Sequence, residues 1–285
     1  MSALYALEDR PDLDEPVLII ALDGWIDAGL GAASALAQLR STSEWITVAT
    51  FDADELLDHR ARRPTMHLDD GVVTELSWPS VQLLAGADGG GRDVLLLDGA
   101  EPDHRWAAFA DAVATLALDL GVRAVHGLGA YPAPVPHTRP SRVVATATTP
   151  ELAAAIGHVP GRIDVPSGVA AAIEQRCAAS GVPAAGLWAQ VPHYAATMPY
   201  PAAGVALLGA LERVAGLTFD PGPLAEDATR AHERIEGLID GNPEHVAMVR
   251  QLESQVDGAV DESGFAISGD QLAEELEQFL RDETD

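Results

Sequence analysis

Val17 to Gly29, VLIIALDGWIDAG, begins as an unbroken apolar run, stops at Asp23-Gly24, and leads into small residues at helical spacing. A strand covered on both faces reads this way, because neither side of it needs polar residues. Asp27 stands where an N-cap would, and Ala28 to Leu39 continues as a helix. The sequence Asp93 to Asp98, DVLLLD, repeats the strand pattern and is followed by Gly99 and a helix from about Asp103 to Leu120.

Working outward, Trp45–Phe51, Val81–Ala85, Arg123–Leu128, Val143–Thr146 and Leu187–Val191 read as further strands. Pro150–Ile156, Ser167–Ser180 and Ala202–Val214 read as helices. MHLDDGVVTELSW reads as a hairpin turning at Asp70-Gly71, and GADGGG as a flexible loop with no helix behind it to cradle a phosphate. Alternating strands and helices predict an α/β fold with a mixed, largely parallel sheet and helices on both faces. Right-handed crossovers would bring the loops after Asp23, Asp98, Leu128 and Val191 to one edge. The expected organisation is an α/β domain over residues 1–219 and an acidic helical extension over 220–285.

That extension holds 18 acidic and 4 basic residues, about half of a total charge of −27. Leu224, Ala228, Ala231, Ile235 and Leu238 keep helical spacing, as do Val246, Val249, Leu252 and Val256, and later Leu272, Leu276, Phe279 and Leu280. A solvated, partly disordered acidic tail is the other reading of the last 25 residues. The charge argues against nucleic acid and anionic membranes as partners. PHTRPSR offers a local basic patch, but a short one.

No apolar run is long enough to span a bilayer, and the opening MSALYALEDRPDLDEP lacks the basic and apolar regions of a signal peptide. A cytoplasmic protein is therefore expected. With one cysteine, Cys177, the chain has neither an internal disulfide nor a cysteine-based metal site. All 17 basic residues other than histidine are arginine, so Schiff-base chemistry and a Walker-type lysine are excluded. A GC-rich genome would produce that composition. A protein working beside a lysine-tagging degradation system would also escape tagging by it.

Four loops carry the candidate site residues. ALDGWIDAG offers Asp23, Trp25 and Asp27 as base, ligand or contact residues, with helix capping the simpler role for Asp27. DGAEPDHRW brings Glu101, His104 and Arg105, a polar pocket wall or a helix start with Asp103 in its first turn. VPHTRP places His137 and Arg139 on one side of an extended segment, since Pro140 disfavours helix before it. VPHYAATMPYP repeats the Val-Pro-His tripeptide with His193 and Tyr194. A zinc site wants three or four ligands, and the histidine spacings contain no HxH, HxxxH or HExxH, so no metal is expected. No G-x-S-x-G elbow supports a serine triad. The two histidines read as loop anchors.

Taken in order, DGWIDAG, DGAEPDHRW, VPHTRP and LWAQVPHY with PYPAA resemble the proteasome assembly chaperone type-two family, in its actinobacterial branch, over roughly residues 15–219. The resemblance implies a three-layer α/β fold similar to nucleoside phosphorylases and peptidyl hydrolases, without a catalytic centre or cofactor. It also implies a homo-oligomer, with a trimer as the working number, that binds protein complexes such as proteasome subunits. Docking relatives end in a hydrophobic residue, a tyrosine and one last residue. This sequence ends FLRDETD with no tyrosine after Tyr200, so any proteasome contact is expected to use another surface. The alternative is an enzyme or binding protein in which Glu101, Arg105, His137, Arg139 and His193 converge on an anionic small molecule. An ATP-grasp ligase, a label sometimes attached to relatives, conflicts with the missing lysines.

Overall fold

The computed structural model describes residues 4–262. In chain order it contains β1 (Tyr5–Leu7), β2 (Val17–Asp23), α1 (Gly31–Ser41), β3 (Ile46–Phe51), α2 (Ala53–Leu56), β4 (Thr65–Asp69), β5 (Val72–Ser77), β6 (Val81–Ala87) and β7 (Asp93–Ala100). Then follow α3 (Trp106–Asp119), β8 (Ala124–Ala133), β9 (Val143–Ala147), α4 (Pro150–Ile156), α5 (Val169–Ala179), β10 (Ala184–Pro192), α6 (Pro201–Ala215), α7 (Gly222–Asp240) and α8 (Pro243–Glu262). The fold is mixed α/β, and the chain forms two compact units built from interleaved segments. One comprises Met1–Trp25, Glu44–Gly127 and Ser167–Ala184; the other comprises Ile26–Ser43, Leu128–Pro166 and Ala185–Asp285.

In the first unit the strand order is β1-β3-β6-β7-β2-β8. Parallel pairing runs from β7 through β2 to β8, while β1, β3, β6 and β7 pair antiparallel. The antiparallel share exceeds what strand–helix alternation suggests; GADGGG, for one, finishes β6 with Gly86 and Ala87 and then makes a tight hairpin turn into β7. Asp88 Oδ1 there accepts the N–H groups of Gly90 and Arg92 at 2.9 and 2.8 Å. Val17 to Ala21 and Val94 to Leu97 are buried throughout, which explains their unbroken apolar sequence. Leu18, Ile20, Leu95 and Leu97 pack with Phe51, Phe109 and Ile173 in one core, the two phenylalanine rings meeting edge-on at 4.8 Å. Each such side chain contributes about 1.5–3 kcal/mol by leaving water.

Two expectations about helix starts are corrected. α1 begins at Gly31 after a 3₁₀ turn at Ala28–Leu30, because Gly29 and Leu30 sit at positive φ. α3 begins at Trp106 rather than near Asp103. The N–H groups of Asp103 and His104 both donate to Leu56 O, at 2.9 and 3.0 Å, which holds that segment out of helical geometry.

In the second unit β8, β10 and β9 are neighbours in that order, with β10 antiparallel to β9. α1 packs on α6, α6 on α7, and α7 on α8. Prolines mark both helix starts in the acidic segment. α7 starts at Gly222, and α8 starts at Pro243 after Asn242 Oδ1 accepts the Glu244 N–H at 2.9 Å. The buried stripe of α7 is Leu224, Ala231, Ile235 and Ile239, so Leu238, expected on it, faces solvent instead. Val249, Leu252 and Val256 bury the matching stripe of α8. Leu272, Leu276, Phe279 and Leu280 lie outside the described residues.

Candidate functional site

The ten candidate residues fall into two sets of five. Asp23, Trp25, Glu101, His104 and Arg105 belong to the first unit, and Asp27, His137, Arg139, His193 and Tyr194 to the second.

In the first set, the β2–β7 register ends at Asp23 opposite Ala100, and the Glu101 N–H extends it by donating to Asp23 O at 2.7 Å. Glu101 is only 6% exposed. Its Oε1 accepts the N–H of Val169, the first residue of α5, at 2.6 Å, so a carboxylate of the chain itself occupies this helix N-terminus. Gly168 allows the approach: a Cβ there would lie 2.7 Å from Trp25 Cδ1 and 2.9 Å from Glu101 Oε1. Burial raises the Glu101 carboxyl above its ordinary range; the Val169 N–H and the Arg62 guanidinium pull it back, and Asp103 adds to the rise. Arg62 sits 3.5 Å from Asp103 Oδ1, and Asp103 Oδ2 accepts the Asp58 N–H at 2.8 Å. Arg105 is a left-handed residue preceding α3, and its Nη1 meets Glu55 Oε2 at 2.5 Å. His104 is exposed. The partners Glu55, Asp58, Arg62 and Gly168 were invisible to motif reading, although three arginines within Arg60–Arg63 of an acidic chain were a signal.

In the second set the two Val-Pro-His tripeptides meet. The His137 N–H donates to Tyr194 Oη at 2.8 Å, and the same hydroxyl lies 2.8 Å from His137 Nδ1. Since the hydroxyl accepts from the backbone, its own proton is available to Nδ1, which places the imidazole proton on Nε2. That Nε2 is buried without a hydrogen-bond partner among the described residues. His137 is 4% exposed, and its ring centroid is 5.2 Å from that of His232 on α7. Burial and then His232 lower the His137 pKa, against Glu236 and Glu253, which raise it. The unfolded chain therefore takes up this proton first. The neutral imidazole's contribution to stability is lost as pH falls through the ordinary histidine range.

The next residues grip α8. Thr138 Oγ1 donates to Glu253 Oε1 at 2.6 Å. Arg139 places Nε and Nη2 on the two carboxylate oxygens of Asp257, at 3.0 and 2.7 Å, and Nη1 3.3 Å from Glu253. This fork holds the Asp257 carboxyl below its ordinary range. Asp27 accepts the Ala32 N–H on Oδ1 at 2.7 Å and the Ala33 N–H on Oδ2 at 2.9 Å, capping α1. His193 opens a short 3₁₀ turn, with Nδ1 buried and unpartnered among the described residues. No group of three or more His, Cys, Asp or Glu among the described residues is arranged to hold a metal ion. No described helix is long and apolar enough to cross a membrane.

Tyr194→Phe removes both hydrogen bonds to His137 and leaves a buried N–H and a ring nitrogen without partners. A loss of about 2–4 kcal/mol is expected in urea unfolding. An unchanged midpoint would show that water replaces the hydroxyl.

Residues 21–239 match the PAC2 family, a span that includes all ten site residues and stops short of α8. No curated protein matches the sequence. Among solved structures, a Mycobacterium tuberculosis protein of unknown function is 36% identical, with 96% of each chain covered and a TM-score of 0.86. A Mycobacterium tuberculosis proteasome-assembly chaperone homologue is 33% identical over 82% of this chain and 99% of its own, with a TM-score of 0.75. A Streptomyces avermitilis PAC2 family protein is 36% identical over the same shares, 82% and 99%, with a TM-score of 0.73. The matched span contains the loops that carry the four motifs, and the chain belongs to the PAC2 family.

Proposed function

We propose that this protein is a homo-oligomeric, non-catalytic binding module of the cytoplasm with an assembly-chaperone-like role toward proteasome-type complexes. The observation that carries the reading is its 33% identity to the M. tuberculosis proteasome-assembly chaperone homologue, over 99% of that chain. The site chemistry supports it. Arg105 is engaged by Glu55 and Arg139 by Asp257 and Glu253, while Glu101 fills the helix N-terminus an anion would occupy. In this reading the polar loops fix the scaffold and attach the acidic extension, residues 220–285, to a body of residues 1–219. No cofactor is required.

Affinity purification of the tagged full-length chain from the cells that make it, with quantitative mass spectrometry, tests the proposal. Enrichment of proteasome subunits at near-stoichiometric levels is expected. A panel of anionic metabolites should leave the melting temperature within about 1 °C, since Arg105 and Arg139 are already paired with carboxylates of the chain. Shifts of several degrees with one metabolite, and no enriched complex, would overturn the reading in favour of a small-molecule binder.

A further inference from the structure

The turn from Val135 to Pro140, in the second unit, touches both α7 and α8. His137 meets α7, its ring centroid 5.2 Å from that of His232. The next two residues meet α8: Thr138 Oγ1 donates to Glu253, and the Arg139 fork closes on Asp257. Behind the turn, Tyr194 Oη lies 2.8 Å from both the N–H and the Nδ1 of His137. The grip on α8 thus starts from a turn whose own anchor is a titratable ring.

That anchor works only with a neutral imidazole. Burial pushes the Tyr194 hydroxyl up to about 12, so it keeps its proton and offers it to Nδ1. A proton added at Nδ1 turns that acceptor into a second donor, aimed at an oxygen that already accepts the His137 N–H. The tyrosine proton then loses its acceptor in a buried place, and Nε2–H has no partner among the described residues. The groups facing the ring are Tyr194 and His193 from the 193–195 turn, His232 and Glu236 from α7, and Glu253 from α8. The two carboxylates favour a charged His137, but burial and His232 outweigh them and lower its pKa. Asp257 is held below its ordinary range by Arg139, so the fork itself stays charged in mild acid. Detachment therefore takes up a proton at His137, and it is favoured as pH falls through the ordinary histidine range.

We infer that the Val135–Pro140 turn is a pH-operated clasp, which holds α8 in place near neutral pH and lets it go in mild acid. Opening frees Thr138 and Arg139 from Glu253 and Asp257 and bares the Val249, Leu252 and Val256 stripe. The inference goes beyond the proposed function and needs no particular partner. Hydrogen exchange of the full chain at about pH 7.5 and about pH 5.5, corrected for the intrinsic pH dependence of exchange, tests it. Amides from Val249 to Val256 should lose roughly tenfold or more of their protection at the lower pH, each pKa unit of mismatch being a factor of ten. Those of β2 and β7 should keep theirs. In His137→Asn the amide oxygen can accept the Tyr194 proton and takes up none itself, so α8 should be equally protected at both pH values. Arg139→Gln should loosen α8 at both, leaving the ratio between them unchanged. Should His137→Asn fail to fold, His232→Gln decides: it should shrink the loss, and an undiminished loss overturns the clasp. Equal wild-type protection of α8 at the two pH values overturns it as well. So does a loss shared in full by β2 and β7, which is global unfolding, or a loss that His137→Asn retains.

Discussion

Glu174→Gln is expected to stabilise the protein, and increasingly so as the solution becomes more alkaline. Glu174 lies on α5 with 6% of its surface exposed, beside buried Ile173 and Cys177. Burial pushes its carboxyl from 4.5 up to about 8, so the folded protein carries it protonated at neutral pH. In the unfolded chain the group ionises near its ordinary value. Between these two values unfolding releases a proton, and the carboxyl's share of stability falls as pH rises, levelling off above the folded value. Glutamine has the same shape and no proton to lose. The difference between variant and wild type should be near zero at about pH 4.5 and reach roughly 2–4 kcal/mol at pH 8–9, after allowance for relaxation around the ionised group. For a chain of this size that is a rise in Tm of roughly 5–12 °C. Thermal unfolding of both proteins across that range decides it, and a gain independent of pH would mean that Glu174 is ionised and solvated in the folded state. Cys177, its neighbour on the same helix, has its thiol raised to about 11 by burial and then by Glu174, and should resist alkylation in the native protein.

The strands of this fold were legible where burial on both faces had removed polar residues, as in VLIIALD and DVLLLD. The hairpin was legible from Asp70-Gly71. β1 and α2 were not, because three and four residues are too few to show a period. Nor were the starts of α1 and α3, which depend on left-handed residues and on a carbonyl, Leu56 O, supplied by another segment. The division into two units also escaped reading, since each unit is assembled from segments that are not consecutive in the chain.

The candidate site shows the same limit in sharper form. The polar residues of the four motifs stand out by type, and Asp27 does cap α1, though from four residues before its start, across the 3₁₀ turn, rather than from the adjoining position that spacing suggests. Their partners do not follow: Glu55 is 50 positions from Arg105, and Asp257 is 118 from Arg139. Residue types suggested a pocket wall, and only tertiary pairing shows ion pairs, a plugged helix terminus and a tyrosine shared by two turns. The repeated Val-Pro-His does not make two like anchors: the residue after the second histidine holds the first, while His193 Nδ1 has no hydrogen-bond partner among the described residues.

Gly99→Ala should be the most damaging glycine-to-alanine change among the described residues. Gly99, next to last in β7, sits at φ +125°, where side-chain-bearing residues are rare, and pairs with Val81 in the antiparallel ladder to β6. A Cβ at Gly99 would stand 2.0 Å from Ser80 O and 2.9 Å from Val81 Cα, all of it backbone that cannot rotate away. Ser80 O is also the acceptor for the Ala100 N–H at 3.0 Å, so any retreat breaks a hydrogen bond at the point where the chain turns toward Glu101. A loss above about 4 kcal/mol is expected, seen as little soluble protein or a collapsed urea midpoint. Gly71→Ala is the matched comparison: φ there is also positive, but the space is open, and about 1 kcal/mol should be lost. A Gly99→Ala protein as stable as that control would refute the packing. Gly24, which follows the parallel neighbour β2, shares the positive φ at +123°, but its would-be Cβ meets only the movable end of the Arg62 side chain, at 2.5 Å. Two of the four motifs thus hold an Asp-Gly pair whose glycine the backbone conformation favours, at φ 123° and 125°. At both positions the Asp-Gly pair answers a requirement of the strand end, whatever else the loop that follows does.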